Sequence, residues 1–314
     1  MRIGTWNLEN LFTPNAGPGA PTGQDAYDAK IGALAAVIET LAPDVLAVQE
    51  VGSPEALDDL TAAIGGTWHA ALAAPDDRGI RCGLISRLAL HDVEQVSAFP
   101  SGIPPVQVEE DGTTITALPR PALAARVTSR GTDVHVVSVH LKSKLLSFPR
   151  GRFSTSDEDQ RARYGVYALA RRGAEAAAVR GFATRLLSST ATSGAPALVV
   201  TGDLNDEPGA ATTQILLGPP GSEIGTPGFG KPDVGDPQRL WNLAPLIPEE
   251  DRYSRKYRGR RELIDHVLVS AALVHDVATV AAGPYPVPSI SDDPNARRNE
   301  PGSDHRPVLA DIVV

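Results

Sequence analysis

Six short clusters of acids, amides and histidines mark this chain: Asn7/Glu9, Gln49-Glu50, His140, Asp203/Asn205, Asp265-His266 and Asp304-His305. In the clearest case the apolar run Ala197-Leu198-Val199-Val200-Thr201 meets Gly202 and then Asp203-Leu204-Asn205-Asp206-Glu207-Pro208. The run reads as a buried strand, and the glycine ends it ahead of a turn that carries a carboxylate, an amide and two more carboxylates. Carboxylates bind hard cations and move protons, and imidazole does the latter near neutral pH. Placed where a rigid strand hands over to a loop, such groups suit acid/base or metal-assisted chemistry. Any one cluster alone has a plainer explanation: an Asx turn, a helix-start acid, a satisfied strand-end histidine.

The elements that must position these groups follow from periodicity. Strands are expected over residues 2–7, 44–50, 68–72, 80–86, 88–97, 197–201 and 263–270, with a hairpin of 122–129 and 133–140 around Arg130-Gly131 and a final strand opening near Val308. Apolar residues at helical spacing (Ile31, Leu34, Val37, Ile38, Leu41) predict a helix over 25–41, and Ser53-Pro54-Glu55 opens a second. A long Ala/Arg-rich helix is expected over 157–187, its acidic start Asp157-Glu158-Asp159 matching the positive end of the helix dipole. A short helix near 210–217 follows, while 13–23, 218–237 and 284–302 read as loops and 103–119 is ambiguous. The clusters span the full length, so a single domain over 1–314 is expected to gather them at one sheet edge. On its strand His266 should face away from Asp265. His69, His91, His135 and His275 fall outside the clusters and read as structural or surface residues.

Composition describes an ordinary globular protein of 314 residues with ample core. The lone cysteine, Cys82, excludes an intramolecular disulfide and a cysteine-ligated zinc site, and it reads as a core filler. No apolar stretch approaches the ~20 residues of a membrane span. No leader is visible ahead of the first strand, so the chain is expected to be cytoplasmic, or secreted if a leader has been removed, and monomeric, with no protein partner. A net charge of −9 argues against a generally basic nucleic-acid binder, but the charge is segregated. Residues 142–172 carry a local +5 and residues 252–261 a local +6, and both flank clusters. Such segments can form a phosphate-attracting face on an acidic body, or simply two solvated surfaces.

Thr5-Trp6-Asn7-Leu8-Glu9-Asn10, Val48-Gln49-Glu50, Ser138-Val139-His140-Leu141-Lys142-Ser143, Gly202-Asp203-Leu204-Asn205, Ile264-Asp265-His266-Val267 and Ser303-Asp304-His305-Arg306-Pro307 resemble, in order, the motifs of the endonuclease/exonuclease/phosphatase superfamily. These are metal-dependent phosphoesterases related to pancreatic-type deoxyribonuclease and the abasic-site endonucleases. The resemblance implies an α/β (α+β) fold, a four-layer α/β sandwich with two packed mixed sheets flanked by helices. It implies a divalent cation, magnesium or manganese, and in-line attack of water on phosphorus. Carried across by position, Glu50 is the principal metal ligand, helped by Asn7 and by Glu9 or Asp304. Asp203 and Asn205 orient the water and bind phosphate, His305 is held by Asp265 and acts at the phosphate, and His140 is the second histidine. Glu9 departs from the Asp of many relatives, so its longer side chain could reach a metal only through water.

The fold is shared by several chemistries, so substrate must be read from the loops. The leading expectation is a nuclease on DNA or RNA, with Lys142, Arg255, Arg258 and Arg260 contacting backbone phosphates. Phe148, Phe153, Tyr253 and Tyr257 interleave with those charges and either stack on bases or anchor loops. The alternatives are a phosphatase or phosphodiesterase for a small or lipid-linked phosphate, of inositol phosphate or sphingomyelin type, and a catalytically inactive member that binds nucleic acid or protein.

Overall fold

A computed structural model describes residues 1–17, 19–189, 195–293 and 296–314; the loops expected at 13–23 and 284–302 each include positions outside that description. β1 (Arg2–Leu11) opens the chain, and α1 (Gln24–Leu41) ends on Ala42 in the left-handed region just before Pro43. β2 (Val45–Val51) leads to α2 (Pro54–Ile64), capped by the Ser53 side chain accepting from the Ala56 N–H. Next come β3 (His69–Leu72), β4 (Arg81–Ser86) and β5 (His91–Ala98). The ambiguous stretch holds a small hairpin of β6 (Val106–Gln107) and β7 (Thr114–Ile115). β8 (Ala117–Ser129) and β9 (Thr132–His140) turn at Arg130-Gly131, both at positive φ. α3 (Glu158–Leu187) is capped by Asp157, as its acidic start predicts. β10 (Ala197–Asp203) and α4 (Ala211–Leu217) follow, then β11 (Leu240–Asn242), β12 (Arg255–Tyr257), β13 (Arg260–Glu262) and β14 (Asp265–Ser270). α5 (Ala271–Val274), β15 (Val277–Ala282), β16 (Ser289–Ile290) and β17 (Val308–Ile312) complete the chain.

Two mixed six-stranded sheets result, one ordered β15-β17-β1-β2-β4-β3 and the other β11-β14-β10-β9-β8-β5. Strand alternation decides what lies between them. In β2, Val45 and Ala47 join the inter-sheet core while Leu46 and Val48 pack beneath α1 and α2. In β10, Ala197 and Val199 face the other sheet while Leu198 and Val200 pack beneath α3. Both central strands are buried on both faces, which is why they read as unbroken apolar runs. The outcome is four layers, helix–sheet–sheet–helix. A polar link also crosses between the sheets: Thr5 donates to Gln49 Oε1 at 3.0 Å, and Gln49 Nε2 donates to Ser138 Oγ at 3.3 Å. Gln49 thus points inward to tie the sheets.

The parallel pair β1–β2 lies at the middle of one sheet and the parallel pair β9–β10 at the middle of the other. Asn7 from the first pair reaches within 3.0 Å of Asp203 from the second, so their C-terminal ends share one edge of the sandwich. That edge is where loop-borne groups can be displayed on rigid strands.

Candidate active site

β1 and β2 both slip register just before they end, between Asn7 and Leu11 and between Val48 and Val51. Glu9, Asn10 and Glu50 take up the extra residues at φ of 51°, 54° and 61°. Bulges re-aim side chains, and such backbone is sparsely populated by anything but glycine, Asn or Asp. Two glutamates held there fit a constrained site. On the facing sheet, Gly202 lets β10 approach β9 so closely that a Cβ at that position would stand 1.9 Å from the Val139 carbonyl oxygen. Glycine before Asp203 is therefore a packing requirement as well as a strand-end signal.

Asp203 is the hub. Its Oδ1 accepts the Asn205 N–H at 2.9 Å, and its Oδ2 accepts Asn7 Nδ2 at 3.0 Å. The same Oδ2 lies 3.5 Å from His140 Nε2 and 4.0 Å from His305 Nε2. His305 Nδ1 is bonded to Asp265 Oδ2 at 2.7 Å, an arrangement that fixes its orientation. Asn205, itself at φ 54°, donates its amide to the Leu141 carbonyl at 2.9 Å. Asn7 also donates to Glu50 Oε1 at 3.2 Å, and the Asn10 N–H donates to Glu50 Oε2 at 2.9 Å. The strand-end clusters expected to act together are thus brought together. His266 points away from Asp265, as alternation requires, and bonds Asn242 and the Asp206 carbonyl.

Burial and neighbouring charge separate these groups electrostatically. Burial, and then the charge of Asp265, raises the Asp203 carboxyl to about 7. His305 is raised to about 10, because Asp265 and Asp304 outweigh a burial that works against its charge. His140 is pushed well below its usual value by burial and then by the charges of Arg120 and His305, so it is a neutral imidazole. Glu9 rises to about 7 through burial and the charge of Asp304, with Arg297 opposing. A carboxyl near neutrality beside a lasting imidazolium is the pairing that acid/base chemistry at pH 7 requires.

The hub forms the floor of a cleft of about 610 Å³, lined also by Glu9, Asn10, Glu50, Asp304, Arg78, Lys144, Arg161, Arg255, Arg297, Leu145, Leu146, Phe153, Tyr257 and Ile290. Three expected phosphate-binding residues are not on its walls. The Lys142 ammonium is turned to the carbonyls of Ser143 and Leu145, bracing the loop. Arg258 is paired with Asp292, and Arg260 lies exposed on the short strand β13. Only Arg255 of that set lines the cleft, with Glu262 at 2.9 Å. Among the aromatics, Phe148 and Tyr253 are buried loop anchors, Phe148 packed on Tyr164 and Tyr253 stacked against Arg306 and Arg261. Phe153 stays exposed in the cleft.

Sequence reasoning missed Arg78, Arg297 and Lys30. Arg78 sits on a loop pinned by Asp76, which takes two backbone N–H groups and a buried Arg120 at 2.8 Å. Arg297 grips Glu9 with Nε at 2.8 Å and Nη2 at 3.1 Å. Lys30 is only 4 % exposed and lies on the buried face of α1 with Tyr27, Ile31 and Leu34. A charge on an apolar helical stripe was the one available signal for it.

The donor set fits a divalent cation. Glu50, Asn7, Glu9 and Asp304 are hard oxygen donors opening on the cleft. Asp203, Asp265 and His305 also offer ligand atoms within 4.8 Å of one another, although the Asp265–His305 bond already occupies two of them. Among the described residues, buried polar atoms without a partner include Asn10 Oδ1, His140 Nδ1, Arg255 Nε and Asp265 Oδ1, all in site residues. Orphaned groups gathered in this way suit a bound cation or anionic substrate.

Two packed mixed sheets with a carboxylate–imidazole–amide hub at one edge are the architecture of a metal-dependent phosphoester hydrolase. A model of the Endonuclease/Exonuclease/phosphatase family matches residues 4–305, and the chain belongs to that family. Solved structures share the fold. A 3'-5' exonuclease from Neisseria meningitidis superposes with a TM-score of 0.55 at 18% identity, covering 100% of both chains. A mannosyl-6-phosphatase from Bacteroides thetaiotaomicron gives 0.57 at 14% identity over 100% of both chains. A humanized TDP2 from D. rerio gives 0.59 at 16% identity over 100% of this chain and 99% of the other. No curated protein matches in sequence.

Proposed function

We propose that this protein is a magnesium- or manganese-dependent phosphodiesterase that cleaves DNA or RNA by in-line attack of water. The observation that carries the reading is the convergence of Asn7, His140 and the Asp265-bound His305 on Asp203 Oδ2, on the floor of a cleft whose walls hold Arg78, Lys144, Arg161 and Arg255. A cation held by Glu50 and Asn7, with Asp304 nearby, would supply a Lewis acid to the phosphoryl oxygens. Asp203 orients the water and takes its proton as the new P–O bond forms. His305, held as an imidazolium, donates from Nε2 to a phosphoryl oxygen and offsets its growing charge. His140, neutral and beside Asp203, adds a hydrogen bond at the same centre, and Asn205 holds the Asp203 carboxylate in place. The bond to the leaving oxygen breaks, that oxygen takes a proton from solvent water and departs as a hydroxyl, and Asp203 returns its proton to solvent.

A second reading, a phosphoester of a small or lipid-linked alcohol, is favoured by one feature: Leu145, Leu146, Phe153 and Ile290 line the cleft while Lys142, Arg258 and Arg260 do not. An assay with magnesium and manganese against duplex DNA, single-stranded DNA, RNA, inositol phosphates and sphingomyelin separates the two. Polynucleotide hydrolysis that stops in chelator and returns with either cation is the expected result. Faster turnover of inositol phosphate or sphingomyelin than of any polynucleotide would transfer the assignment to the second reading.

A further inference from the structure

We infer that Ser254 is a positioning residue for the Asp265–His305 pair, holding the two halves of that pair in register across the sandwich. The inference rests on the functional reading above, which puts His305 at the phosphate, and concerns what aims it there. The two partners come from different sheets. Asp265 opens β14 opposite Asp203 of β10, whereas His305 lies just ahead of β17, which pairs with β1. Side chains tie His305 to its own sheet. Its N–H donates to Ser303 Oγ at 3.0 Å, Ser303 Oγ donates to the Asn7 carbonyl at 2.6 Å, and the Trp6 indole N–H donates to the His305 carbonyl at 2.8 Å. A 2.7 Å bond between groups carried by two separately packed sheets needs a contact that fixes one strand end against the other.

Ser254 makes that contact. It is fully buried at the base of the β12–β13 hairpin, where its N–H donates to the Glu262 carbonyl at 2.9 Å. Its Oγ accepts the N–H groups of Ile264 at 3.1 Å and Asp265 at 3.2 Å, and its carbonyl accepts the Arg306 N–H at 2.6 Å. One residue therefore grips the backbone of Asp265 on one side and the residue after His305 on the other. Both of its neighbours brace the contact: Arg255 forms a β-bridge with His305, and the Arg306 guanidinium lies over the Tyr253 ring at 4.2 Å. The hydroxyl matters most at Asp265. Of that carboxylate, Oδ2 is bonded to His305, and among the described residues Oδ1 has no hydrogen-bond partner. Its aim is therefore set by its backbone, and the Ser254 hydroxyl is what holds the backbone N–H there.

Ser254→Ala removes the acceptor and leaves the backbone contacts of residue 254 in place. With magnesium, and with bis-p-nitrophenyl phosphate and single-stranded DNA as substrates, kcat of the full chain should fall about 10- to 100-fold, the cost of misaiming a catalytic group, while KM stays within about threefold. Ser254→Thr keeps the hydroxyl and should bring kcat back to within about threefold of wild type. The proton between Asp265 and His305 gives a readout without turnover. A far-downfield proton NMR signal that disappears in His305→Ala should move upfield or broaden away in Ser254→Ala and return in Ser254→Thr. If Ser254→Ala does not fold, Ser254→Cys, close in size but a poor acceptor, carries the same expectations. A kcat within about threefold of wild type in the folded variant, a downfield signal that it leaves unmoved, or a folded Ser254→Thr as impaired as Ser254→Ala would each overturn the inference, since a merely structural serine lowers stability without moving either readout. A wild-type chain with no metal-dependent phosphoester hydrolysis would overturn the functional reading instead, and the NMR comparison would still decide whether Ser254 positions the pair.

Discussion

At Asp203, burial and the charge of Asp265 raise the carboxyl to about 7, while the same Asp265 helps to hold His305 protonated up to about 10. The sign of the pH dependence follows. An imidazolium persists below its pKa, so His305 serves as a donor through neutral pH into the alkaline range, and its contribution fades as pH rises through about 10. Asp265→Asn removes the principal group raising that pKa, and burial then drives it below the ordinary histidine value. The alkaline limb of kcat/KM should move to lower pH, with activity at pH 8 reduced about 100-fold and partly regained toward pH 6. A pH–rate profile checks this; an unmoved alkaline limb would remove His305 as the donor. Asp203→Asn and His305→Ala should each cost about 100- to 1,000-fold in kcat, with melting temperatures close to wild type, and near-normal turnover in either would sink the assignment. At this scale the sequence was legible where a group ends a strand, as at Asp203 and His140, or stands just before one, as at His305. It was not legible for Arg297 or Arg78, which arrive from loops with no periodicity to place them. Nor could a charge run show that Arg258 would find its acid at Asp292, more than thirty positions away.

The elements display these residues through two kinds of local compromise. One is the paired bulges at the ends of β1 and β2, which were invisible in a sequence whose apolar pattern predicts only strands. The other is the close approach of Gly202 to Val139, which the glycine foreshadowed for a different reason, as a strand terminator. Gly202→Ala should destabilise the fold by about 1–3 kcal/mol or more, because the added methyl meets the β9 carbonyl rather than a yielding side chain. Denaturant unfolding measures it, and a change below about 0.5 kcal/mol would mean that β9 and β10 separate easily. The loop carrying Arg78 depends on another device, the Asp76–Arg120 pair. Asp76→Asn leaves a buried guanidinium without its carboxylate and should cost about 3–5 kcal/mol. Although burial opposes it, Arg120 holds the Asp76 carboxyl below its ordinary value, so the stability it contributes is present above pH 3.8 and is lost as pH falls below that. The difference in unfolding free energy between variant and wild type should therefore narrow from pH 6 to pH 3.

For the whole molecule, the proposed nuclease reading requires an acidic body of net charge −9 to attract an anionic polymer to one edge. The two basic segments suggested how, but much of their charge is neutralised inside the fold: Arg161 by Glu158, Arg163 by Glu110, Arg171 by Glu175, Arg172 and Lys144 by Asp206, and Arg258 by Asp292. A sequence shows a charge run but not the acids that fold against it, so the four-layer architecture was legible and the electrostatic footprint was not. What remains at the cleft is a smaller positive set: Arg78, just before β4, and Arg255 on β12, whose charge is shared with Glu262 at 2.9 Å. Removing one cation that pairs with a backbone phosphate should lower the slope of log affinity against log salt by about 0.9 for duplex and about 0.7 for single strands. Arg78→Gln with Arg255→Gln should therefore flatten that slope by about 1.4–1.8 and weaken binding at low salt most. Arg258→Gln with Arg260→Gln removes the same formal charge from outside the cleft and should shift the slope by less than about half of the change expected for a single phosphate. Fluorescence anisotropy of catalytically impaired Asp203→Asn protein with a labelled strand, from low to physiological salt, compares the pairs directly. Equal flattening by the two double variants would show that net charge, not the cleft, collects the substrate, and would restore the broad basic face that the sequence suggested.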